Sequence, residues 1–124
     1  MPESQTVQQP SPRRSRITLE RMTGLHVLVA DAHAVSRTAR EQQLLAQGHR
    51  VSVARTAFEA IVKATCHLPD LILLDGSLPD IAVTDASEFL TACPVTAHIP
   101  TVKLTPRRLV PQRILADLRR RARF

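Results

Sequence analysis

Asp31, Asp75 and Thr105 each stand where a short apolar run ends. The clearest such run is Leu71-Ile72-Leu73-Leu74-Asp75-Gly76-Ser77-Leu78-Pro79-Asp80, in which four apolar residues lead to one carboxylate and turn residues stop the run at once. A run of this kind suits a strand buried on both faces, as in a parallel sheet. In open α/β sheets chemistry gathers at the carboxyl ends of the strands, at the point where strand order reverses. Asp75 there is a candidate nucleophile or metal ligand, and Gly76 lets backbone approach closely. Asp31, Asp75 and a carbonyl just past Asp75 offer hard oxygens suited to Mg²⁺. A hydroxyl at Thr105 could read a phosphoryl group placed on Asp75. The same text also suits a loop aspartate that merely turns the chain, so the surrounding elements must decide.

Those elements alternate. Leu25–Ala30 reads as a first strand, residues 33–47 as a helix with Gly48 just past its end, and Val51–Ala54 as a second strand. Thr56-Ala57-Phe58-Glu59 is a capping box: the Thr56 hydroxyl serves the backbone N–H of Glu59, and Glu59 reaches back to that of Thr56. The helix it opens is expected to turn Phe58, Ile61, Val62 and Thr65 or Cys66 inward. In the first helix Val35, Ala39 and Leu44/Leu45 are the expected apolar stripe. A third helix over 84–92 is expected to turn Ala86, Phe89, Leu90 and Cys93 inward. Ile99–Thr105 reads as a fourth strand. Val110, Ile114, Leu115, Leu118 and Ala122 recur at helical spacing with arginines opposite. The alternation β-α-β-α-β-α-β with short connections argues for a parallel sheet with helices on both faces.

Composition narrows the function. The net charge of +6 comes from the ends: residues 1–24 carry +2, residues 25–105 carry −2, and residues 106–124 carry +6. A basic pI therefore does not describe the middle of the chain. Trp and Tyr are absent, which removes the usual stacking platforms for single-stranded nucleic acid. Cys66 and Cys93 lack companions at metal-ligand spacing and read as small packing residues. No apolar run is long enough to span a bilayer, and the start of the chain lacks the apolar core of a secretory signal, so a cytoplasmic location is expected. The expected organisation is a disordered basic extension over 1–23, an α/β domain over 24–105 and an Arg-rich amphipathic helix or tail over 106–124. Met22 is a second candidate start for the chain.

The text Leu28-Val29-Ala30-Asp31…Ser36-Arg37, then Pro69–Asp75, Leu78-Pro79-Asp80, Pro94–Pro100 and Leu104-Thr105 resembles the receiver domain of two-component response regulators. The likeness is to the first receivers of PleD-type regulators in particular. It covers residues 23–106. It implies a flavodoxin-like, doubly wound parallel sheet, shortened here to four strands in order 2-1-3-4, without the family's fifth strand and last helix. It implies that Asp75 accepts a phosphoryl group from a histidine kinase or phosphotransfer protein, that Asp31, Asp75 and the Ser77 carbonyl hold Mg²⁺, and that Thr105 is the switch hydroxyl.

This chain also departs from the family. Ala32 stands where the second acid of the metal site would be, Val83 stands where a Gly would be, and the phosphoryl-binding Lys of the fifth strand has no counterpart. Lys103 is a weak substitute that more naturally lies along an edge. Mg²⁺ is therefore expected to bind weakly or not at all. The expected function is that of an atypical single-domain receiver in phosphorelay signalling, weakly phosphorylated or not phosphorylated, acting through protein contacts rather than as an enzyme. A homodimer or another protein would cover the exposed sheet, unless the Val110–Ala122 helix does. The alternatives are a working phospho-receiver and a binder of nucleic acid or an acidic partner through the Arg-rich tail, with nucleic acid the less favoured. His26, His33, His49, His67 and His98 form no triad or zinc spacing.

Overall fold

The computed structural model describes residues 24–122. The expectations for residues 1–23, including the disordered extension, lie outside them. The elements run β1 (His26–Ala30), α1 (Ala34–Ala46), β2 (Arg50–Ala54), α2 (Ala57–His67), β3 (Leu71–Asp75), α3 (Val83–Ala92), β4 (Thr101–Leu104) and α4 (Gln112–Arg121). The four strands are parallel and ordered β2-β1-β3-β4, as the alternation of elements and the resemblance implied. β4 stops at Leu104, so Ile99, Pro100 and Thr105 flank the strand rather than join it. Among the described residues no helix is long and apolar enough to cross a membrane.

Side chains alternate across a strand, and this divides the core in two. Leu28, Ala30, Ile72 and Leu74 face one way and pack with Ala57, Ala60 and Ala64 of α2 and Ala86 and Leu90 of α3. Val27, Val29, Leu71, Leu73 and Leu104 face the other way and pack with Leu44 of α1 and with Val110, Ile114, Leu115 and Leu118 around α4. The arginine-bearing helix therefore seals the second face of the sheet. β3 is buried along its whole length, as its uninterrupted apolar run required.

Three helices turn differently from expectation. In α1, Arg40 and Leu44 are buried, whereas Val35 is 86% exposed and Leu45 is exposed. Nine residues separate Val35 from Leu44, which places them on opposite sides of a helix turning about 100° per residue. In α2 the buried stripe is Ala57, Ala60 and Ala64. These small residues let the helix lie close on the sheet, and Phe58 and Val62 are left exposed. In α3, Ala86 and Leu90 are buried as expected, but Phe89 is exposed and Cys93 is half-buried. Phe58, Ile61, Ile81 and Phe89 line a shallow groove between α2 and α3.

The helix ends are well defined. Gly48, at φ 89°, follows α1, and the N–H groups of Gly48 and His49 return to the carbonyls of Leu45 and Leu44. That is the pairing of a Schellman cap. Thr56 Oγ1 accepts from the Glu59 N–H at 3.0 Å, but the Glu59 carboxylate accepts from Arg55 N, not from Thr56 N. Asp80 supplies what the sequence pattern did not reveal. Its two carboxylate oxygens accept from the Ala57 and Phe58 N–H groups, each at 2.9 Å, so the loop after β3 caps α2. Burial pushes the Asp80 carboxyl up, but these backbone hydrogen bonds outweigh it and hold the pKa below its ordinary value.

Candidate functional site

Strand register brings the two aspartates together. Ala30 of β1 pairs with Leu74 of β3, so the next residues, Asp31 and Asp75, lie side by side at the carboxyl end of the sheet. Both continue an alternation, Val27-Val29-Asp31 and Leu71-Leu73-Asp75, that places them on the face covered by α1 and α4. Both are fully buried.

A third fully buried side chain, Arg40 of α1, lies between them. Its Nη1 donates to Asp31 Oδ2 at 3.1 Å and to Asp75 Oδ1 at 2.8 Å. The rest of its planar fork is also used: Nη2 donates to the Thr105 carbonyl at 2.9 Å and Nε to the Arg108 carbonyl at 2.7 Å. Arg40 is not among the residues that the sequence motifs single out. The available signal was spacing, because Ser36, Arg40 and Leu44 are four residues apart and share a helix face, and Leu44 is in the core. An arginine on that stripe must point at something charged.

Every carboxylate oxygen of the pair has a donor. Asp31 Oδ1 accepts from the His33 N–H at 2.9 Å, and Asp31 Oδ2 also accepts from the Ser36 hydroxyl. Asp75 Oδ2 accepts from the Ser77 N–H at 3.0 Å and from the Ser77 hydroxyl. For Asp75 the largest influence is burial, which raises the pKa. The two Ser77 bonds and Arg40 together outweigh it and hold the carboxyl below its ordinary 3.8. A carboxylate depressed in this way contributes stability that is complete above its unfolded value and is lost as pH falls through the folded one. The thermal midpoint should therefore drop on acidification below 3.8. Asp75→Asn, measured by circular dichroism melts across the acid range, should show a shallower fall.

The other expected residues are near but differently engaged. Thr105 follows β4 and is exposed, and it is its carbonyl that meets Arg40. Ser77 is exposed at the residue level, with its N–H and hydroxyl turned onto Asp75. Lys103 is exposed, and the cation at the carboxylates is Arg40. His33 precedes α1 and contributes its backbone N–H, and it helps line a cleft of about 450 Å³ with Val35, Ser36, Arg107 and Leu109. In the basic helix, Arg119 donates to Gln47, and Arg120 and Arg121 pair with Asp117.

Mg²⁺ demands near-octahedral oxygen coordination. The residues as arranged do not fit such an ion. A guanidinium nitrogen already bridges the two carboxylates, and all four of their oxygens accept hydrogen bonds. Among the described residues no group of three or more His, Cys, Asp or Glu is arranged to hold a metal.

No family profile matches the chain. Among curated proteins it is 37% identical over 81 residues to the transcriptional regulatory protein AfsQ1 of Streptomyces coelicolor, covering 65% of this chain and 34% of that protein. It is 34% identical over 79 residues to the response regulator PleD of Caulobacter vibrioides, covering 64% of this chain and 17% of that one. The chain thus spans about a third of the length of the first of these relatives and about a sixth of the second. Among solved structures, the N-terminal domain of a response regulator receiver protein from Methanoculleus marisnigri superposes with a TM-score of 0.64 at 26% identity, covering 71% of this chain and 72% of that one.

Proposed function

We propose that the protein, whose sequence and fold are similar to the receiver domains of response regulators, serves two-component signalling as a non-enzymatic contact module. In this reading its conformation is set without phosphorylation of Asp75. It works in the cytoplasm, and its partners are proteins, with a histidine kinase or phosphotransfer protein the first class to consider. The observation that carries this reading is the closure of Asp75. The carboxylate is fully buried, one oxygen is held by Arg40 and the other by Ser77. An in-line attack on a phosphoryl donor needs a free oxygen and room in front of it, and both are taken. The surface offered to a partner is the cleft beside α1, where Val35 and Leu109 are exposed.

A working phospho-receiver is the second reading. It is favoured by the depressed pKa of Asp75, which keeps the group ionised as a nucleophile must be. In that case Asp75, Thr105 and a metal held by Asp31, Asp75 and Ser77 would keep the roles the resemblance implies, and Arg40 would have to swing away. Intact-mass measurement after incubation with a small phosphodonor and Mg²⁺ decides between them. The contact module stays at its starting mass while folded. A gain of one phosphoryl group that Asp75→Asn abolishes would establish the second reading and overturn the first.

A further inference from the structure

We propose that Arg40 is the resident cation of this site, occupying between Asp31 and Asp75 the place of a divalent ion and fastening the 105–110 segment to α1. The inference rests on the reading of the Asp31–Asp75 pair as a receiver-type site, and it names the element that fixes the state of that site.

Charge is the first argument. Two ionised carboxylates side by side in a buried site repel strongly, and a cation must lie between them or one must take a proton. A receiver-type site solves this with a metal, whereas here Arg40 Nη1 reaches both acids at 3.1 and 2.8 Å. The absence of a second acid at Ala32 fits this solution, because one guanidinium offsets two carboxylates better than three.

Reach is the second argument. Mg²⁺ holds ligands only about 2.1 Å from its centre, but a guanidinium is a rigid fork of five donors that spreads its contacts more widely. The donors left over bind the carbonyls of Thr105 and Arg108. One turn along α1, Gln43 exchanges two bonds with the backbone of Val110: Nε2 donates to its carbonyl at 2.9 Å and Oε1 accepts from its N–H at 2.8 Å. Four hydrogen bonds from two α1 side chains therefore grip the backbone between β4 and α4. Within the gripped segment Arg107 has φ 64°, a left-handed conformation that a residue with a side chain keeps only where its surroundings impose it. Since Thr105 begins this segment, one side chain joins the carboxylate pair to the stretch that would have to move in a switch. The cation is covalently part of the chain, so it cannot be titrated away by chelation.

Mn²⁺ serves as the probe, read by the broadening of amide NMR signals near Asp31 and Asp75. Wild-type protein should show no site-specific broadening at millimolar Mn²⁺. Arg40→Gln, which removes the charge and keeps a polar chain, should bind Mn²⁺ more than about tenfold tighter and gain thermal stability with Mg²⁺. Arg40→Lys keeps the charge but not the fork. It should remain blind to metal, while the amides of Arg108 and Val110 exchange with deuterium more than about tenfold faster than in wild type. Site-specific Mn²⁺ binding by wild type would overturn the resident-cation assignment, as would a folded Arg40→Gln indifferent to metal. Unchanged exchange at Arg108 and Val110 in Arg40→Lys would overturn the fastening. If Arg40→Gln does not fold, the wild-type Mn²⁺ measurement and Arg40→Lys decide the matter between them. None of these readouts involves phosphorylation, so a failure here is distinct from a failure of the contact-module reading.

Discussion

Arg40→Met should lower the free energy of unfolding by about 3–5 kcal/mol, the usual cost of removing one partner from a buried ion pair. The reason is what the substitution leaves behind. Asp31 and Asp75 are fully buried and 0% exposed with Arg40 in place. Methionine fills much of the arginine's volume, so the loss comes from charge and hydrogen bonding rather than from a cavity. Two like charges would face one another with no cation, and the carbonyls of Thr105 and Arg108 would each lose a donor. Urea unfolding followed by circular dichroism measures the effect as a fall in midpoint with little change in slope. The compensated variant is the sharper test. Adding Asp31→Asn and Asp75→Asn to Arg40→Met removes the repulsion and should recover a large part of the stability, because replacing a whole buried ionic group is far less costly than breaking it. If Arg40→Met were as stable as wild type, Arg40 would have no electrostatic role at the site.

Leu118→Ala should cost about 2–5 kcal/mol, as a fully enclosed leucine does when truncated. Leu118 is 0% exposed and belongs to the cluster that covers Val27, Val29, Leu71 and Leu73. Ile114 and Leu115 lie beside it on the same helix. Removing its side chain loosens α4 from the sheet, and the variant should both melt earlier and self-associate as the apolar face opens. Leu109→Ala is the matched control, since Leu109 is 58% exposed and a surface truncation of this kind changes stability by about 0.5 kcal/mol or less. Thermal melts and light scattering on the two variants give the comparison. Equal behaviour would mean that α4 does not seal the sheet.

The two predictions bear on one architecture. α1 and α4 cover the same face of the sheet, and Asp31 and Asp75 end that face. The loop joining β4 to α4 is the piece that Arg40 and Gln43 hold. Sheet, site and basic helix are thus joined through α1, and the exposed cleft at Val35 and Leu109 lies over that junction. A partner bound there would sense the position of the 105–110 segment directly.

The strand order 2-1-3-4, which sets β1 beside β3, came from the resemblance to receiver domains, and the register that places Asp31 next to Asp75 came from the structure. Strand positions, their parallel sense and the gathering of Asp31 and Asp75 at the carboxyl end of the sheet were legible in the amino-acid sequence from local pattern: apolar runs of strand length, turn residues at their ends, and strands alternating with helices. The amphipathic stripe of Val110, Ile114, Leu115 and Leu118 was legible for the same reason, because arginines mark its outer side. Which way α1 and α2 turn was decided by the tertiary structure. Each helix offers more than one apolar stripe, and the close approach that Ala57, Ala60 and Ala64 permit wins over the larger area of Phe58 and Val62. Asp80 capping α2 from 23 residues away is a long-range pairing that no local pattern encodes. Arg40 is the strongest case. An arginine in a helix normally reads as a solvated residue, and only the packing of α1 against the ends of β1 and β3 makes it the partner of two buried acids. The sequence supplied the charges, and the fold decided which charge faces which.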